Sequence, residues 1–99
     1  MSEHLRAGER VSVLRLPRTL DASQAVRMRS RLTRLLNRNP RFLFLDLKAT
    51  REVKLVGLGI LIDRLKRLGN GHGEIRFSNG SPRICRTLVR AGLNGLLQD

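Results

Sequence analysis

Between Lys48 and Gly59 the sequence KATREVKLVGLG sets four charged side chains, one hydroxyl and a run of aliphatic side chains next to one another. Arg51 and Lys54 frame Leu55, Val56 and Leu58, an apolar contact edged by cations. That is chemistry for docking a carboxylate-bearing protein, not for breaking bonds. Thr50 is the stretch's one hydroxyl and a conceivable phosphoacceptor, but a surface threonine holding a turn is the simpler reading. Gly57 and Gly59 do not form a phosphate loop, because the longer glycine spacing and its Lys-Ser/Thr ending are missing. Asp46 would bind a metal only with further ligands, and His4 and His72 fall in unrelated stretches. The single Cys85 excludes both a disulfide framework and a multi-cysteine metal site, and reads as a small buried hydrophobe. No catalytic residue, metal ligand or cofactor is therefore assigned.

A second candidate is arginine. Arg27, Arg31, Arg34 and Arg38 recur at three and four residue steps, so on a helix they form one basic stripe. Arginine suits phosphate, and nucleic acid is the alternative partner. Stacking platforms are scarce, with no Trp or Tyr and only three Phe, so a solvated helix face is the simpler reading.

These groups need elements to hold them. Arg41 to Leu47 carries Phe42, Leu43, Phe44 and Leu45 without alternation and ends in Asp46, as in a central strand covered on both faces. Removing Phe44 from such a strand is expected to cost about 3–5 kcal/mol. Lys48 to Lys54 reads as a charged loop, and Leu55 or Val56 to Leu68 as a helix stopped by Gly69-Asn70-Gly71. Upstream, Arg10 to Leu16 is a strand ended by Pro17. Asp21 or Ser23 then caps a helix whose apolar members are Ala22, Ala25, Val26, Met28, Leu32, Leu35 and Leu36, and Pro40 closes it. Downstream, Glu74 to Phe77 is a strand. Ser81 and Pro82 open a third helix with Ile84, Cys85, Leu88 and Val89 inward, Gly92 ends it, and Leu93, Leu96 and Leu97 form an apolar hook.

Strand and helix alternate throughout, which predicts an α/β sheet with right-handed crossovers. Residues 1–99 make a single small domain, with a mixed β-sheet, helices packed mainly on one face, and a poorly ordered lead over 1–8. Charge is the unusual feature: 20 Lys plus Arg against 8 Asp plus Glu give a net +12. A field of one sign favours acidic partners, whether protein, nucleic acid or membrane. The membrane is set aside because the first helix needs its apolar face for the core, and no apolar run approaches the ~18 residues of a span. No secretory signal pattern opens the chain, and a lone cysteine suits a reducing, cytoplasmic setting.

On these residues the chain resembles a STAS domain of the type found in bacterial anti-sigma factor antagonists. Leu14-Arg15-Leu16 and Leu20-Asp21-Ala22 resemble the family's first strong strand and the opening of its first helix. Phe44-Leu45-Asp46-Leu47 resembles its aliphatic strand ending in Asp-Leu, and Gly57-Leu58-Gly59 the Gly-Leu-Gly of its second helix. Gly73-Glu74-Ile75-Arg76-Phe77 resembles its next strand and Ala91-Gly92-Leu93 its closing Gly-Leu. The resemblance implies a non-enzymatic regulator of transcription whose partner is an anti-sigma factor or a related kinase-like protein.

The sequence departs from the family where its switch proteins carry Asp-Ser-Ser, with the second serine phosphorylated. Here the positions are Lys54-Leu55-Val56, and Val56, the equivalent of that serine, cannot accept phosphate. Lys54 also sets a cation at the positive end of a helix dipole, at a cost of about 0.3–1 kcal/mol. Arg18 replaces the glycine expected after Pro17. Two readings of Lys54-Leu55-Val56 follow. Either Leu55 or Val56 packs onto the sheet and the site is silent, or Arg51, Lys54, Leu55, Val56 and Leu58 form a constitutive docking surface.

Overall fold

The computed structural model describes residues 10–68 and 73–97. Three strands form the main sheet: β1 (Val11–Arg15), β3 (Phe42–Asp46) and β5 (Glu74–Ser78), in the order β1-β3-β5. β3 is central, as its apolar run predicts. Both pairings are parallel and in simple register, with Val13 beside Phe44 and Phe44 beside Arg76. An antiparallel member of the expected mixed sheet is not found among the described residues. A second, two-stranded parallel sheet pairs β2 (Thr19–Leu20) with β4 (Glu52–Val53).

The helices are α1 (Ala22–Leu36), α2 (Leu55–Leu68) and α3 (Pro82–Arg90), followed by a single 3-10 turn, Asn94–Leu96. Asp21 caps α1, its carboxylate accepting from the Gln24 N–H at 2.8 Å. Ser81 caps α3 by accepting from Ile84, with Pro82 in the first turn, where its missing N–H leaves no helical bond unmade. Gly92, at φ +80°, closes α3: its N–H reaches Val89 O, and Leu93 N–H reaches Leu88 O. These paired bonds satisfy carbonyls that a helix end otherwise leaves open. Leu97 then bridges to Phe77, so the apolar hook docks along β5. The Gly69-Asn70-Gly71 stop expected after α2 lies outside the described residues.

Leu14, Leu43, Leu45 and Phe77 point to one face of the sheet and form a single core with Ala25, Met28, Leu32 and Leu36 of α1, Leu58, Leu61 and Leu65 of α2, and Ile84 and Leu88 of α3. The helices therefore lie on that face. Among the described residues the other face is open. Val11, Val13, Phe42 and Phe44 share it through the register, and Val13 is 52% exposed. The expectation that β3 is covered on both faces is thus corrected. Phe42 and Phe44 are only half-buried and stack on each other at 6.2 Å, while Arg41 lies over Phe42 at 5.6 Å. An unbroken apolar run arises here because aromatic rings shelter one another on an uncovered face. Two helix positions differ in the same way: Val26 and Val89, expected inward, are exposed. Cys85 is half-buried instead of core, its thiol 3.6 Å from Gly80 O.

Candidate functional site

The start of α2 is held against the start of α1 by backbone hydrogen bonds and by Leu58, which packs into the same core as Leu20 and Ala25. Leu20 pairs with Val53, Lys54 N–H donates to Leu20 O at 2.9 Å, and Arg51 N–H donates to Arg18 O at 2.7 Å. The segment read as a charged loop therefore contains β4, which departs from the expectation. Its two ladder residues are too few to show alternation, so no sequence period marks them. Gly57 sits on this crossing, where an added Cβ would lie 2.6 Å from Asp21 C and O and 2.7 Å from Leu20 O. That close approach fixes which face of α2 turns inward.

The consequence is an exposed apolar pair. Leu55 is 70% and Val56 65% exposed, so neither packs onto the sheet, contrary to the packing that the silent reading expects. Leu58, expected on the same surface, is 3% exposed and belongs to the core, one helical turn inward. Arg51 and Lys54 are exposed beside the pair. Lys54 Nζ meets Glu52 Oε2 at 3.0 Å, which offsets part of its repulsion from the helix dipole; both side chains are more than half exposed, so solvent screens the bond. Next to Val56 a cleft of about 460 Å³ runs between α1 and α2, with Arg29, Gly59, Ile60, Asp63 and Arg64 along it. Val56 and Ile60 are its aliphatic lining, and Arg29, Asp63 and Arg64 its charged lining.

Asp46, at the end of β3, ties neighbouring loops together. Its Oδ1 accepts from Lys48 N–H and from Asn79 Nδ2, each at 3.0 Å, and Oδ2 lies 3.9 Å from Arg15 Nε. The Asn79 bond, then the Lys48 amide and the nearby cations, hold its carboxyl below the ordinary value of 3.8 against the opposing effect of burial. A lowered folded value means that the ionised form contributes stability above the ordinary value and loses it as pH falls through the folded one. Asp46→Asn should then cost about 1.5 kcal/mol near neutral pH, from weakened charge-assisted bonds. That difference should shrink as pH falls below the ordinary value of 3.8 and through the lowered folded one, measured by urea unfolding of both proteins across pH. A difference independent of pH would show that the carboxylate charge does not matter.

Thr50 is not the surface threonine expected. It is buried at 4% exposure, and its Oγ1 has no hydrogen-bond partner among the described residues. Arg27, Arg31 and Arg34 are exposed along α1, as their spacing predicts, but Arg38 lies beyond the helix end, where its carbonyl accepts from Arg10. His4 and His72 lie outside the described residues. Among the described residues no group of three or more His, Cys, Asp or Glu could hold a metal, and no helix is long and apolar enough to cross a membrane.

A central β3, two α/β crossovers and a glycine-pinned α2 start define a small α/β domain of one family: the chain belongs to the STAS domain family, whose pattern it matches over residues 4–98. Its fold is similar to the anti-sigma factor antagonist SpoIIAA in its unphosphorylated form, with a TM-score of 0.75, 18% identity, and 96% of this chain and 84% of that one covered. It is also similar to the Bacillus cell fate determinant SpoIIAA in the phosphorylated form, at a TM-score of 0.67 and 18% identity, covering 96% and 86%. In sequence, no curated protein matches the chain significantly.

Proposed function

We propose that this chain is a non-catalytic docking domain that binds a protein partner, an anti-sigma factor or a related kinase-like regulator, through the first turn of α2. The setting is the cytoplasm, and the role is control of transcription. The observation that carries the proposal is the exposure of Leu55 and Val56 side by side on a rigidly held helix start. Adjacent exposed aliphatic side chains between Arg51 and Lys54 suit a partner offering an apolar contact rimmed by carboxylates. The cleft from Val56 to Ile60 extends that contact. Docking is constitutive in this reading. Val56 stands at the position that the family resemblance gives to the phosphorylated serine and carries no hydroxyl.

The basic stripe supports a second reading, since Arg27, Arg31 and Arg34 are all exposed on α1 and could contact nucleic acid. One titration separates the two. Val56→Asp puts a carboxylate into the apolar contact and should weaken binding of a candidate anti-sigma factor at least about tenfold, with the fold intact. Reversing Arg27, Arg31 and Arg34 to Glu should change that affinity little. If instead the parent binds a random-sequence duplex with a steep loss at higher salt, and the triple reversal abolishes it while Val56→Asp does not, the nucleic-acid reading replaces the first.

A further inference from the structure

The C-terminal ends of β3 and β5 open into a cleft of about 570 Å³ that is separate from the Leu55–Val56 pair. Its lining brings together Arg18, Lys48, Arg51 and Arg83, four cations from three stretches of sequence, with no carboxylate among the residues that line it. The first turn of α3 is part of the same wall. Pro82 has no N–H, and Ser81 takes the Ile84 N–H, which leaves the Arg83 amide without an intrahelical acceptor at the positive end of the dipole. The floor includes Thr50, whose buried Oγ1 has no partner among the described residues. A buried hydroxyl left unpaired costs free energy unless something supplies an acceptor.

We propose that this cleft binds a phosphate group, as free phosphate or as a small phosphate monoester. Each feature matches that chemistry. Tetrahedral oxyanions take several donors at once, and guanidinium groups give them paired bonds. A helix N-terminus adds oriented amide donors. The Thr50 hydroxyl gains with the ligand the acceptor it lacks without it. Asn79, fixed at φ +60° and bonded to Asp46, holds the loop between β5 and α3 in place, so the wall is formed before the ligand arrives. The site stands apart from the proposed docking reading, although Arg51 borders both.

The test uses the full chain and follows its melting temperature and binding heat with inorganic phosphate and with glycerol phosphate, against chloride at equal ionic strength. Saturable binding with an upward melting shift is expected. The Arg51→Gln, Arg83→Gln pair should abolish the shift, while the Arg27→Gln, Arg31→Gln pair, equal in charge change, should keep it. Thr50→Val should weaken phosphate at least about tenfold, the loss of one charge-assisted bond. The same change should leave the ligand-free protein as stable as the parent or more so, because it removes an unpaired buried hydroxyl. A larger shift with the monoester assigns the site to a phosphorylated metabolite, and equal shifts assign it to the free oxyanion. No saturation in the parent, equal weakening by both arginine pairs, or undiminished binding in Thr50→Val would overturn the proposal.

Discussion

Phe77→Ala should lower the unfolding free energy by about 3–5 kcal/mol, whereas Phe44→Ala should lower it by only about 1–2 kcal/mol. Phe77 is 1% exposed and points from β5 into the single core beneath the helices, where removing the ring leaves a cavity that a close-packed interior closes only in part. Phe44 lies on the open face of the neighbouring strand, half-buried, with Phe42 as its stacking partner. Its truncation forfeits one ring contact and partial burial, and leaves no sealed void. Urea unfolding of both variants at a common pH measures the two costs. Equal losses would mean that the second face of the sheet is covered after all.

The two glycines of Gly57-Leu58-Gly59 should respond to alanine with opposite signs. At Gly57 the new methyl group would meet three backbone atoms closer than 3 Å, all belonging to Leu20 or Asp21. Backbone has no rotamer to escape into, so α2 must shift, at a cost of about 3 kcal/mol, the upper end of what overpacking usually incurs. At Gly59 nothing lies within 4 Å. Alanine there should stabilise the helix by about 0.5–1 kcal/mol, through the backbone entropy glycine loses on folding. Thermal unfolding of the two single variants reads the difference. If Gly57→Ala melts with Gly59→Ala, the crossing of α2 over the start of α1 is looser than its geometry implies.

Much of this architecture is legible in the sequence because it rests on local chemistry. Asp21 and Ser81 cap helices where capping rules put them, Pro40 and Gly92 punctuate, and the run from Phe42 to Leu45 marks the central strand. Composition alone does not tell which face of that strand is covered. Aromatic side chains stacking on an open face look, in sequence, like residues buried on both sides. The β2–β4 ladder stayed hidden for a different reason. It is two residues long and made by backbone groups, so its side chains Thr19, Leu20, Glu52 and Val53 show no period. At the candidate site, Arg51, Lys54, Leu55 and Val56 were readable as neighbours in the chain. Leu58 is misplaced by adjacency in the chain, because two residues beyond Val56 is roughly 200° round a helix, on the side that faces the core. The environment of Thr50 was unreadable, since its neighbours Arg18, Asn79 and Arg83 come from remote stretches.

The parallel register also bears on how fast the domain can form. Every strand pair in the main sheet joins residues about thirty positions apart, Val11 to Phe42 and Phe42 to Glu74, with a helix in between. Among the described residues no hairpin supplies a local pair from which a sheet could grow. The chain must close long loops, at an entropic cost, before any ladder bond repays it. Folding should therefore be slower than that of a helical bundle of equal size. Rate-limiting order would rest on the meeting of α1 with the glycine-marked start of α2, since that contact draws the strand ends into register.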